Sequence, residues 1–172
     1  MNQKRIRKMV LSAVFCALVF SATWISVPAP AVGNVNLGDG MLLLCAWTLG
    51  GPWAVVAAAL GSALTDLMGA YAIYAPATLL IKALMATLAI LLTKAFCKLH
   101  LSLRVSHILS ALAAEIVMAA GYFFYEALFL GYGWGAAANI PFNCVQGLFG
   151  IVLSVVLFEF LSRAGILHFD GQ

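Results

Sequence analysis

Apolar residues run through this chain in long blocks, and the positions that interrupt them are prolines, glycines and a few charges. Blocks and breakers together predict six segments: Met9 to Ile25, Gly38 to Leu49, Pro52 to Met68, Pro76 to Phe96, Ile108 to Phe129 and Pro141 to Leu161. Three of the six begin at proline, which suits the first turn of a helix because its missing N–H would have no partner there in any case. At the α-helical rise the last three segments each cover about 31–33 Å, enough for a hydrocarbon core of about 30 Å. The second does not. It covers only about 18 Å, so it must recruit the preceding loop, sit where the bilayer thins, or form a hairpin with the third segment. A five-span or re-entrant arrangement is the alternative.

Composition removes the soluble option. Of 172 residues 65% are hydrophobic and 9% charged, whereas a soluble surface needs roughly 25–35% charged residues. The mean hydropathy is +1.06. In lipid an unpaired backbone amide has no partner, so the spanning segments are helices. The first segment has the basic start of a signal peptide, but no convincing small-residue cleavage site follows it, and it is read as a retained span. With six spans, Lys4, Arg5, Arg7, Lys8, Lys94, Lys98, Arg104 and Arg163 all fall on one side and no Lys or Arg on the other. That asymmetry places both termini in the cytoplasm. The expected fold is therefore an all-α integral membrane protein, a compact six-helix bundle forming a single transmembrane domain over 1–172. An extracellular loop covers 26–38 and a basic cytoplasmic loop 97–107. Trp24, Tyr71, Tyr74, Tyr132 and Trp134 would sit near the outer interface, as an anchoring belt or in part at a ligand mouth, with Trp47 and Trp53 near the inner one.

The remaining basic residue, Lys82, stands alone inside a span, about 9 Å below the outer end of its helix. Asp39, Asp66 and Glu126 fall near the same level. Charge inside a membrane faces a partner or a cavity, so Lys82 either pairs with Asp66 or Glu126 to tie helices together or lines a polar pocket open to the outside. Asn139, Asn143 and Gln146 follow spacings of four and three at the start of the sixth segment. They are interhelical glue or further pocket groups, and their amides suit a heterocycle with mixed donors and acceptors. Glu115, Tyr122 and Glu126 share a helix face, but Glu115 lies about 21 Å down, too deep for the same small ligand and more consistent with a structural partner. Glu159 and Asp170 lie near the cytoplasm and need no special explanation.

The 26–38 connection is rich in Pro, Gly and Asn and is either a plain turn or a lid, with Asn36 and Asp39 as its candidate ligand contacts. Small residues repeat at spacing four on the third segment, as Ala54, Ala58 and Ser62 and as Ala57, Gly61 and Thr65, which predicts a central helix with close neighbours on two sides. Ala13 and Ala17 repeat in the same way on the first, as internal packing or as a docking surface. The four cysteines have no Cys-x-x-Cys pair and no histidine at ligand spacing, so they read as small hydrophobes and no metal site is expected. Phosphate-loop, nucleophile-elbow and His-Glu-x-x-His motifs are absent, and no two matched halves suggest a self-contained carrier.

The stretches Asn36-Leu37-Gly38-Asp39, Gly61-Ser62-Ala63-Leu64-Thr65-Asp66-Leu67 and Tyr74-Ala75-Pro76-Ala77-Thr78-Leu79-Leu80-Ile81-Lys82, with Pro141-Phe142-Asn143, Gln146 and Gly147, closely resemble the S components of energy-coupling factor (ECF) vitamin transporters. The similarity is to the branch with riboflavin-type, hydroxymethylpyrimidine and pyridoxine-type members. The resemblance implies a multi-pass protein of the bacterial cytoplasmic membrane that binds a small vitamin from outside and is not an enzyme. Its implied partners are a transmembrane coupling subunit, two cytoplasmic ATPases and membrane lipid, with no nucleic acid. It implies no cofactor in this chain, ATP and Mg belonging to the ATPases. It also implies docking at Ala13 and Ala17, a lid carrying Asn36 and Asp39, and a pocket built from Lys82, Tyr122, Glu126, Asn139, Asn143 and Gln146, with Asp66 and Glu115 as structural or pocket groups. Contact of Lys82 and the nearby carboxylates with a ring substituent favours a one-ring pyridine or pyrimidine, since a flavin would call for more aromatic stacking. A riboflavin-binding S component, a self-contained secondary carrier, a membrane scaffold and a membrane enzyme are the rival readings.

Overall fold

In a computed structural model that describes residues 3–28 and 34–166, the chain forms six α-helices: α1 (Gln3–Trp24), α2 (Gly38–Leu49), α3 (Gly51–Met68), α4 (Ala75–Lys98), α5 (Leu103–Phe124) and α6 (Ile140–Arg163). The expected loop residues 29–33 and the tail residues His168 and Asp170 lie outside the described residues. Five helical stretches are long and apolar enough to cross a membrane, and α2 is shorter. The loop expected over 97–107 is compact, because α4 runs to Lys98 and α5 starts at Leu103. Ser102 opens α5 by accepting a hydrogen bond from the Val105 N–H through its hydroxyl.

The short second segment is explained by where it sits. Helices α1, α3, α4, α5 and α6 follow one another around the bundle, and α2 closes the ring between α6 and α1 while also touching α3 and α4. Leu42, Leu43 and Cys45 are completely buried, and Leu44 and Ala46 are nearly so. Apolar on every side, α2 is a core helix. It returns into α3 through Gly50 and Gly51, whose φ values of 60° and 63° lie where a side chain is strained.

The small-residue stripes of α3 do what their spacing predicts. Ala54, Ala58 and Ser62 are buried, as are Ala57, Gly61 and Thr65, and α3 packs against α1 on one side and α4 on the other. A Cβ on Gly61 would lie 2.6 Å from the Cys16 carbonyl oxygen and 2.9 Å from the Val19 Cβ, so the α1–α3 approach depends on glycine. Ala13 and Ala17 instead face outward on α1. Trp47 is 4% exposed and stacks on His107 with ring centroids 4.1 Å apart, so its ring packs inside the bundle. Trp134, by contrast, is 88% exposed.

Gly61→Leu should therefore destabilise the protein by about 1–3 kcal/mol through overpacking. Gly135→Ala, where a Cβ meets nothing within 4 Å, should be neutral. Thermal unfolding in mild detergent checks both.

Candidate functional site

α2 begins beside the last turn of α1, where the Leu37 N–H bonds the Ala22 carbonyl, and above Gln146 the ends of the longer helices bound a space. A cavity of about 300 Å³ occupies that space. Thr23 and Trp24 line it from the end of α1, and Thr65 and Asp66 from the end of α3. Tyr74 comes from just before α4 and Thr78 from its first turn, Tyr122 from the end of α5 and Glu126 from just beyond it, Asn139 from just before α6 and Phe142, Asn143 and Gln146 from its start. Over it lies a two-stranded antiparallel hairpin, β1 (Ser26–Pro28) and β2 (Asn34–Asn36), with Ser26 opposite Asn36 and both on the cavity wall.

The acidic and amide groups are arranged in two layers. In the upper layer Glu126 accepts hydrogen bonds from the Asn139 amide at 2.8 Å and the Tyr74 hydroxyl at 3.3 Å. Glu126 is carried by a π-helical turn, Tyr125–Phe129, that continues α5. Such turns recur at functional sites. Thr78 and Tyr122 share a hydrogen bond of 3.0 Å across α4 and α5. Asp66 and Asn143 complete this layer on the cavity wall and are half-buried.

The lower layer is an ion pair. Lys82, 3% exposed, donates to one oxygen of the fully buried Asp39, and the Gln146 amide donates to the other at 2.6 Å. Gln146 also accepts from the Asn36 backbone N–H at 3.0 Å. These partners orient the amide, since a carboxylate only accepts and a backbone N–H only donates. Gln146 is thus the floor of the cavity, linking the hairpin above to the charge pair below. Glu115 lies near this pair, with Gly147 and Gly150 of α6 leaving room for its side chain.

Among the residues singled out from sequence, Asn36, Asp66, Tyr122, Glu126, Asn139, Asn143 and Gln146 come together on the cavity wall. Asp39, Lys82 and Glu115 do not line it. The reason is the short α2: it puts Asp39 deep enough to neutralise Lys82, so the lysine pairs with neither Asp66 nor Glu126. Sequence reasoning missed Thr23, Thr65, Thr78 and Phe142, and left Trp24, Tyr71 and Tyr74 undecided between belt and mouth, yet all seven line the cavity. The threonines give no charge signal, and their role depends on which face of each helix turns inward. No cluster of three or more metal-binding side chains occurs among the described residues.

The helical bundle thus carries a polar cavity at one end, with Ser26 and Asn36 of the two strands on its wall. Residues 3–163 match the family described as ECF-type riboflavin transporter, S component, and the chain belongs to that family. ECF S components are multi-pass membrane proteins that take part in vitamin uptake together with an energy-coupling module. The fold agrees with a solved structure described as the S component of a bacterial ECF transporter, at a TM-score of 0.69 and 20% identity, covering 93% of this chain and 98% of that one. No curated protein matches the sequence.

Breaking the buried pair from one side should be costly. Lys82→Met leaves Asp39 buried without its cation and should destabilise by about 3–5 kcal/mol, and the double variant Asp39→Asn with Lys82→Met should recover a large part of the loss. A double-mutant cycle on thermal unfolding reads this directly.

Proposed function

We propose that the cavity binds a small water-soluble vitamin or precursor whose core is a single basic heteroaromatic ring, a pyridine or an aminopyrimidine. One observation carries this reading: the cavity wall holds two carboxylates, Asp66 and Glu126, and no basic side chain among the described residues, because Lys82 is already taken by Asp39. A wall of that kind accepts protons, so it favours a ligand that donates from a ring nitrogen, an exocyclic amine or hydroxyls. Asn139, Asn143 and Gln146 supply orientation around the ring, and Trp24, Tyr71, Tyr74 and Phe142 supply apolar surface.

The distribution of basic residues supports an orientation. Arg5, Arg7 and Lys8 begin α1, Lys94 and Lys98 end α4, Arg104 begins α5 and Arg163 ends α6, so all lie at the end of the bundle away from the cavity. With basic residues facing the cytoplasm, the cavity opens outside, the 26–38 segment serves as its lid, and both termini are cytoplasmic. The outward Ala13 and Ala17 pair is then the docking contact for the coupling subunit. ATP and Mg act on two partner ATPases.

A second reading, a flavin ligand, is favoured by the family description and by the aromatic residues on the cavity wall. Calorimetry on the purified chain with pyridoxine, hydroxymethylpyrimidine, thiamine and riboflavin separates the two. A one-ring basic ligand should bind tightest, and Asp66→Asn should weaken it by about tenfold or more, the scale of a hydrogen bond to a charged group. Riboflavin binding that is tightest and indifferent to Asp66→Asn would contradict the primary reading. ATP-independent uptake into liposomes holding this chain alone would contradict the energy-coupled one.

A further inference from the structure

We propose that a groove between α5 and α6, at the opposite end of the bundle from the ligand cavity, binds the headgroup of one anionic phospholipid. This site is separate from the vitamin cavity and does not rest on its assignment. The groove encloses about 310 Å³. Its position is set by helix length: Leu103 lies nineteen residues before Tyr122 on one nearly continuous helix, which is about 29 Å. If the cavity lies at one membrane surface, the groove lies one hydrocarbon thickness away, at the headgroup level of the other leaflet.

Its lining is amphiphilic in the same sense as a phospholipid. Leu103, Val155 and Phe158 make an apolar base. Val152, Val156 and Phe160, each 59% exposed or more, continue apolar surface along α6, where acyl chains would lie. At the rim are Arg104 and Arg163 with the Ser162 hydroxyl, and a single acid, Glu159. Arg104 pairs with Glu159 through two of its nitrogens. The Arg163 side chain is 81% exposed and reaches Glu159 only at 3.9 Å. Two guanidinium groups against one carboxylate leave one positive charge, which a phosphodiester completes. Guanidinium donors suit phosphate oxygens, and basic pockets between helices at this level hold anionic headgroups. A zwitterionic lipid would bring its own cation to a site already carrying one.

The test is competitive lipid retention by the full-length chain, measured by mass spectrometry of complexes from micelles doped with equal phosphatidylglycerol and phosphatidylcholine. The expected preference for phosphatidylglycerol is roughly fivefold, the weight of one basic side chain near a headgroup. It should fall toward parity in Arg163→Gln and vanish in the double variant with Arg104→Gln. Lys8→Gln, an exposed basic residue at the same end on α1, should leave it unchanged. Parity in the wild type overturns the proposal. So does an equal loss in Lys8→Gln, which would mean diffuse surface charge. Inorganic phosphate or glycerol phosphate displacing the lipid at millimolar concentration would assign the site to a soluble anion and overturn the lipid. Should Arg104→Gln fail to fold, Arg163→Gln decides alone, because its side chain is solvent-exposed.

Discussion

A helix of twelve residues cannot satisfy a bilayer by itself, and this constraint organises the molecule. The chain meets it by burying α2 among its neighbours, where apolar side chains on all faces are an advantage. Helices α4 and α6 meet Asp39 well inside their own length, at Lys82 and Gln146, and the space above that contact is the cavity. The strands between α1 and α2 contribute Ser26 and Asn36 to the cavity wall.

The buried start of α2 places Asp39 in the interior. A lone Lys82 at this depth would be severely penalised, as would a lone Asp39. Together they form a neutral pair, and Gln146 accounts for the second carboxylate oxygen. The pair is better understood as a positional device than as a source of stability, since buried ion pairs rarely outdo apolar packing. It sets the orientation of Gln146, and through it ties Asn36 of the hairpin to the core. It also removes the one intramembrane cation from the cavity, which leaves Asp66 and Glu126 to define the chemistry there.

Much of this was legible in the residues. Hydropathy blocks and prolines marked the helices, and the spacing-four stripes marked α3 as a helix with two close neighbours. The rarity of charge in lipid drew attention to Lys82, Asp39, Asp66 and Glu126 before any contact was known. What the sequence could not supply was depth. Asp39 sits at a helix start, which reads as the membrane surface unless the helix is known to begin deep, so its partnership with Lys82 was hidden. Nor does composition show that Trp47 turns inward, where its ring stacks on His107. The π turn that carries Glu126 and the inward threonines depend on local backbone and helix rotation, neither of which has a compositional signature.

The central claim is that Gln146, held on the start of α2 through Asp39, is the floor of a water-accessible hollow. Thiol labelling tests it most directly, in a background with Cys16, Cys45, Cys97 and Cys144 replaced. In intact cells or sealed vesicles, Asn143→Cys should react with a membrane-impermeant maleimide from one side only, while Leu42→Cys, one turn into α2, should stay inert until the protein is unfolded. An Asn143→Cys that resists the impermeant reagent yet reacts with a lipid-soluble one would place that residue in the bilayer and contradict the account.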